Sequence, residues 1–276
     1  MRKTTTLFAA AGLAAAAGLA AAPAASAADE AQLSVFHAVP DTTVDVYVNG
    51  ELTLDDFTPG SMAGPLSLPA GSYELAITAP DAADASAPII GPVTADLTAG
   101  GNFTAVANLT ADGTPTANLY TNDTSTLEAG KAGLTVRHVA AAPAVDVLAN
   151  GSPVISSLAN PDEKTLSVDP GTISASVAAA GTTEPVIGPA DLTLPEGVHT
   201  IVYAWGSLDA GNLALATQTI EGMETAPNAV PGALPAAQDN NGGIMLAAAG
   251  GLTLMVLAGT AVAARRRSAV SATSAE

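Results

Sequence analysis

Apolar and polar residues alternate in short runs from Ala31 onward, with a period of two. In Leu33-Ser34-Val35-Phe36-His37, the residues Leu33, Val35 and His37 share one face of an extended segment. Val44, Val46 and Val48 then alternate with Asp45, Tyr47 and Asn49. Asn49-Gly50 supplies the two positive-φ residues of a tight hairpin turn. The whole pattern returns. Leu33 to Gly50, LSVFHAVPDTTVDVYVNG, reappears as Leu134 to Gly151, LTVRHVAAAPAVDVLANG, at an offset of 101 residues. His37 matches His138, Asp45 matches Asp146 and Asn49-Gly50 matches Asn150-Gly151. Phe36 becomes Arg137 while the Leu/Val/His face is kept, which makes that face the inward one. A repeat this long predicts two tandem domains rather than short solenoid units.

Further strand-like blocks follow with turn signals between them. Leu66 to Tyr73 matches Leu166 to Ile173 at an offset of 100, and Pro88 to Pro92 matches Pro185 to Pro189 at 97. Asp96-Leu97-Thr98 matches Asp191-Leu192-Thr193 at 95, and Thr104-Ala105-Val106 matches Thr200-Ile201-Val202 at 96. The offset drifts between blocks, chiefly in the loop Ala79 to Ala87, where deletions disturb few buried contacts. Each copy reads as about seven short strands in about 95 residues, the size of an antiparallel, immunoglobulin-like sandwich. The predicted fold is therefore all-β: two tandem antiparallel β-sandwiches at 28–124 and 131–220, joined near Thr121 to Lys131 by a flexible junction that couples them weakly.

The ends have a different character. Met1 to Ala27 has a charged start at Arg2-Lys3, an apolar run from Leu7 to Ala22 and a small-x-small site at Ala25-Ser26-Ala27. It reads as a cleaved secretory signal. Residues 221–243 are rich in Pro and Gly and read as an extended linker. Ile244 to Ala264 is 21 residues without a charge, about 31 Å as a helix, which matches a bilayer core. Arg265-Arg266-Arg267 opens a short tail, 265–276, that the positive-inside rule places in the cytoplasm. The predicted layout is a type I single-pass membrane protein with an extracellular ectodomain. Leu234-Pro235-Ala236-Ala237-Gln238 shares only its first two residues with a Leu-Pro-x-Thr-Gly sorting motif, so wall attachment is the less favoured alternative.

Composition narrows the chemistry. Between Ala28 and Gly243 only Lys131, Arg137 and Lys164 oppose 25 acidic residues, a net charge of −22 with histidine neutral. Such a surface repels phosphate backbones, which argues against nucleic acid as a partner. Cysteine is absent, which excludes disulfides, thiolate catalysis and Cys-ligated zinc.

Several constellations are candidates for chemistry. The His37–Asp45 pair recurs as His138–Asp146, but alternation puts His37 on the Leu/Val face and Asp45 opposite Val44 and Val46. The histidines read as buried structural residues bonded to a backbone group, not as metal ligands. His199, present in the second copy alone, reads as a surface or strand residue. Asp55-Asp56 and Pro161-Asp162-Glu163 read as solvated turns, since neither has the spaced oxygen ligands of a calcium loop. Trp205, with Tyr203 on the same strand face, is expected to plug the second core. The Asn-x-Thr triplets at Asn102, Asn108 and Asn122 read as coincidence in a Thr-rich strand protein. No catalytic, cofactor-binding or metal residue is assigned, and no cofactor is expected.

His-Ala-x-Pro from His37, Val-Asp-Val-Tyr-Val-Asn-Gly from Val44 and Leu-Pro-Ala-Gly-Ser-Tyr from Leu68 together resemble the bacterial domain-of-unknown-function family 4397. The resemblance covers Ala31 to about Asn122. It is weaker from Lys131 to about Gln218, where Ala141, Leu148 and Ile173 replace Pro40, Tyr47 and Tyr73. Domains of that family occur, often in tandem, on exported and surface proteins. The resemblance implies a sandwich and an envelope location and transfers no catalytic residue. The function expected is thus a non-enzymatic, membrane-anchored envelope protein that displays a structural or partner-binding module. A wall-polymer hydrolase and an accessory or sensor subunit of a membrane complex are the alternatives.

Overall fold

The computed structural model describes residues 30–224. The signal peptide, most of the linker, the membrane span and the tail read from the sequence lie outside those residues. The first half contains β1 (Glu30–His37), β2 (Val44–Val48), β3 (Glu51–Phe57), β4 (Met62–Pro69), β5 (Gly71–Thr78), β6 (Ile90–Leu97), β7 (Asn102–Leu109) and β8 (Pro115–Thr121). The second half contains β9 (Ala132–His138), β10 (Val145–Ala149), β11 (Ser152–Leu158), β12 (Glu163–Val168), β13 (Gly171–Ala179), β14 (Pro185–Leu194), β15 (His199–Trp205) and β16 (Ala214–Ile220). The first half folds into two four-stranded sheets, β4-β1-β7-β8 and β3-β2-β5-β6. The second half repeats that order as β12-β9-β15-β16 and β11-β10-β13-β14. Each half is one sandwich-like unit.

Two details depart from the expectation. Each half has eight strands, not seven, because the block Leu66 to Tyr73 holds the end of β4 and the start of β5, and the chain changes sheet at Ala70. Nor are the sheets purely antiparallel. β1 pairs with β7 in parallel, and β9 pairs with β15 in the same way. The chain visits the opposite sheet between those partners and returns running in the original direction.

Strand pairing also corrects the alignment of the two copies. Gln32 and Phe36 pair with Asn102 and Val106, while Gly133 and Arg137 pair with His199 and Tyr203. Asn102 therefore corresponds to His199 and Val106 to Tyr203, an offset of 97 rather than 96. Leu97 and Leu194 occupy matching places opposite Gly71 and Gly171, again at 97 and not 95. A slip of one residue exchanges the faces of a strand. β7 and β15 are buried on both faces, so alternation could not reveal the slip.

The sandwich interiors are aliphatic. Leu33, Leu75, Ala95, Leu97 and Phe103 pack in the first unit, and Leu134, Val136, Val147, Val177 and Val202 in the second. The reverse faces of β1, β7, β9 and β15 are buried as well, because the sheets that contain them pack against each other. Phe36, Ala38, Val106 and Tyr120 from the first unit meet Val139, Ile201 and Tyr203 from the second. Full burial of a ring such as Phe36, 0% exposed, stabilises by about 2–3 kcal/mol. The weakly coupled junction expected from the sequence is thus replaced by a continuous seam. Its connecting segment is tied down: the Leu127 amide donates to Met223 (2.7 Å), and Gly130 donates to Glu196 Oε1 (2.9 Å).

Candidate functional site

The recurring histidines and aspartates do separate jobs. His37 Nε2 lies 2.6 Å from the Thr42 carbonyl, and His138 Nε2 lies 3.0 Å from that of Pro143. Both rings are 1% exposed, on the inward face with Leu33 and Leu134. Burial holds both imidazoles below their ordinary pKa, and the carbonyl acceptors offset that in part.

Asp45 instead accepts from the Asp56 amide at 2.9 Å, and Asp146 accepts from the amides of Ser157 and Gly181, both at 2.8 Å. Each aspartate faces a β-bulge on the neighbouring strand, where Asp56 (φ 51°) and Ser157 (φ 55°) take left-handed backbone. Such backbone is costly for a residue with a side chain, and the carboxylate fixes the amide it exposes. The sequence reading missed this clamp. Its signal was a polar residue eleven positions after the aspartate in both copies.

In the first unit the clamp has two further carboxylates beside it. Asp45, Asp55 and Asp56 each offer an oxygen within 4.8 Å of the others. Asp55 and Asp56 are exposed, as expected, but they end strand β3 and do not form a turn. Desolvation, then the charges of Asp45, Asp56 and Asp81, push the Asp55 carboxyl up. The Tyr47 hydroxyl donates to the Ala82 carbonyl (2.9 Å) and so holds the loop that carries Asp81 and Asp84 nearby. Ser156 and Ser157 replace the two outer carboxylates in the second unit.

A cleft of about 650 Å³ lies between β11 and β12 and is lined by Tyr120, Val154, Leu158, Asp162, Glu163 and Lys164. Pro161 and Asp162 are exposed as expected, while Glu163, also exposed, opens β12 instead of lying in the turn. Glu163 Oε2 accepts from Arg137 Nε at 2.7 Å. Arg137 is 1% exposed, the centre of the seam. Its Nη1 donates to the Tyr203 hydroxyl and its Nη2 to Asn122 Oδ1, both at 2.8 Å. The guanidinium lies 4.3 Å from the Tyr120 ring centroid and 5.4 Å from that of Tyr203. Tyr203 passes the chain on to Gln218 Oε1 (2.6 Å), which also accepts from Thr104 across the seam (3.0 Å).

Trp205 belongs to the seam, not to the second core. Its ring meets Phe36 edge-on at 6.1 Å, and the absent side chain of Gly60 (φ 77°) leaves room for the indole. His199, read as a surface or strand residue, opens β15 but is 2% exposed. Two of the Asn-x-Thr asparagines are buried and bonded. Asn108 donates to the Leu109 carbonyl (2.9 Å), and Asn122 donates to Asn102 (2.6 Å) while it accepts from Arg137. Glycan attachment at either would break these bonds.

Comparison with known proteins adds one match. The model of the family described as Domain of unknown function (DUF4397) covers residues 31–148, the whole first unit and the chain across the seam into β10. No curated protein gives a significant match.

Proposed function

For a chain whose residues 31–148 match that family, we propose a non-enzymatic envelope protein that displays its two sandwiches as one stiff head above the membrane. The observation that carries this reading is the Arg137 seam. Tyr120 and Asn122 from one sandwich and Tyr203 and Glu163 from the other surround a single buried cation. Its ion pair to Glu163 and bond to Tyr203 lie within the second sandwich and hold the guanidinium in place. Sliding of the first would take away the Asn122 acceptor and the Tyr120 ring, so these contacts favour one geometry between the units. A head fixed in this way holds the loops of both sandwiches at constant spacing for a structural or binding partner.

The anchor rests on the uncharged stretch Ile244 to Ala264 and the three arginines after it, and the exported orientation rests on the leader Met1 to Ala27. Cell fractionation tests the location. The full-length chain should enter the membrane fraction, come out with detergent and lose its head to added protease on intact cells. Release of an intact head by wall-digesting enzymes alone would sink the membrane-anchor reading. Capture by the displayed head from envelope extracts tests the binding role, and the first result expected is a non-nucleic-acid partner retained at physiological salt.

A further inference from the structure

A second buried group on the outer face of β9 and β15 takes no part in the seam. His199 Nε2 lies 2.7 Å from Thr135 Oγ1, which is itself 2.7 Å from Thr165 Oγ1. The other ring nitrogen, Nδ1, is buried and has no hydrogen-bond partner among the described residues. The ring packs against Gly133. A Cβ at that position would come within 2.8 Å of Nδ1, so glycine is what lets the imidazole sit there. Above the ring is a cavity of about 250 Å³ whose far wall is the segment joining the two units: Asp123, Ser125, Thr126 and Glu128.

This arrangement suits one protonation state. A neutral imidazole with its hydrogen on Nε2 donates to Thr135 and leaves only a lone pair at Nδ1. A protonated ring places an N–H at Nδ1, a buried charged donor with no acceptor in this conformation. The charged groups around it are Asp123 and Glu128 on the connecting segment, Arg137 on β9 and Glu163 on β12. Glu163 is engaged by Arg137, and a second cation beside Arg137 is repelled. Asp123 is the acceptor within the cavity, but its carboxylate holds the Ser125 amide at 2.9 Å. Glu128 also lines the cavity, but Asp123 is the carboxylate whose charge acts on the ring, and a swing of Asp123 toward a protonated Nδ1 pulls on its bond to Ser125.

We infer that His199 is an acid-sensitive latch on the segment joining the two sandwiches: neutral, it leaves residues 123–128 in the closed arrangement, and protonated, it draws Asp123 into the cavity and repacks them. The direction agrees with the burial of the ring, which lowers its pKa from the ordinary value, with Asp123 pulling the other way. A drop from neutral to mildly acidic pH would thus alter the surface at the junction while both sandwich cores stay intact.

Nuclear magnetic resonance on the full chain in detergent micelles tests this. The His199 ring protons should titrate below the ordinary value of about 6.5. The amides of Ser125 and Gly133 should shift with the same midpoint, separate from the titration of Asp123 itself, which its bonds to Ser125 hold below the ordinary carboxylate range. His199→Gln, which can still donate to Thr135, should abolish that shift while His37 and His138 titrate as before. Should that variant fold poorly, Asp123→Asn gives a second reading: the His199 midpoint falls further and Ser125 no longer follows it. A His199 midpoint at or above 6.5, or a titration that leaves Ser125 and Gly133 unmoved, overturns the proposal. So does an unchanged Ser125 shift in His199→Gln.

Discussion

Replacing Arg137 by alanine tests whether the seam makes the two sandwiches one cooperative unit. The substitution removes an ion pair to Glu163, bonds to Tyr203 and Asn122 and the stacking on Tyr120. Breaking a buried pair by deleting one partner costs about 3–5 kcal/mol. The lower part of that range applies, because the Glu163 side chain is 35% exposed and can regain water, and Tyr203 keeps its bond to Gln218. The cavity left beside Tyr120 works the other way. A loss of about 3 kcal/mol follows, or about 6–12 °C in Tm for a unit of roughly 200 residues. Arg137→Met keeps the packing and should lose less than half as much. The assay is thermal and urea unfolding of the purified full chain. Trp205 fluorescence reports the seam, and far-ultraviolet circular dichroism reports both units. The two signals should move together in the wild type, and Arg137→Ala should lower both midpoints. A shift under about 1 kcal/mol, or wild-type transitions that separate, would refute a seam that couples the units.

Three further outcomes are expected. Asp146→Ala leaves two backbone amides without an acceptor and should cost about 2–4 kcal/mol, more than Asp45→Ala, which frees one; equal losses in urea unfolding would discount the bulge clamp. Asp55→Asn should raise Tm at pH 7 by relieving the crowding of like charges, and the gain should shrink as pH falls, because the raised carboxyl pKa means its ionised form opposes folding at high pH; if the variant instead loses stability that calcium confers on the wild type, the carboxylates form a cation site. His37, His138 and His199 all have folded pKa values below the unfolded one, so their contribution is complete above about pH 6.5 and is lost as pH falls from there through the folded values; urea midpoints that stay flat between pH 7.5 and 5 would contradict three buried neutral rings.

What the sequence showed and what it concealed divide along one physical line. Inside each sandwich the contacts follow alternation, so Leu33, Val35 and His37 and their counterparts Leu134, Val136 and His138 could be placed inward from period alone. The hairpin turns at Asn49-Gly50 and Asn150-Gly151 were legible for a similar reason, because left-handed backbone restricts residue choice; the four φ values are 50°, 82°, 51° and 79°. The bulges at Asp56 and Ser157 break the period by one residue and take side chains that nothing local demands. Their cause, the carboxylate of Asp45 or Asp146, sits on another strand. The eighth strand was concealed because Pro69-Ala70-Gly71 ends one strand and starts the next without an interval of polar residues.

The seam was misread for a more instructive reason. Arg137 at the position of Phe36 suggested a face open to water, since a charge is seldom buried without a partner. That inference treats each copy as a body complete in itself. In the folded chain the same face is used twice, once from each side of a single interface. Phe36 and Val106 from the first copy occupy the places that Arg137 and Tyr203 occupy in the second. All four converge: the Phe36 ring centroid is 4.8 Å from that of Tyr203, and Arg137 Cζ is 5.4 Å from the same ring. Two identical faces would have placed aromatic against aromatic or cation against cation. A cation and a phenol on one face, set against Phe36 and Val106 with Tyr120 and Asn122 on the other, make the faces complementary and the interface asymmetric. A substitution that breaks a repeat at an outward strand position, with a residue that needs a partner, therefore points to contact between the copies rather than to solvent.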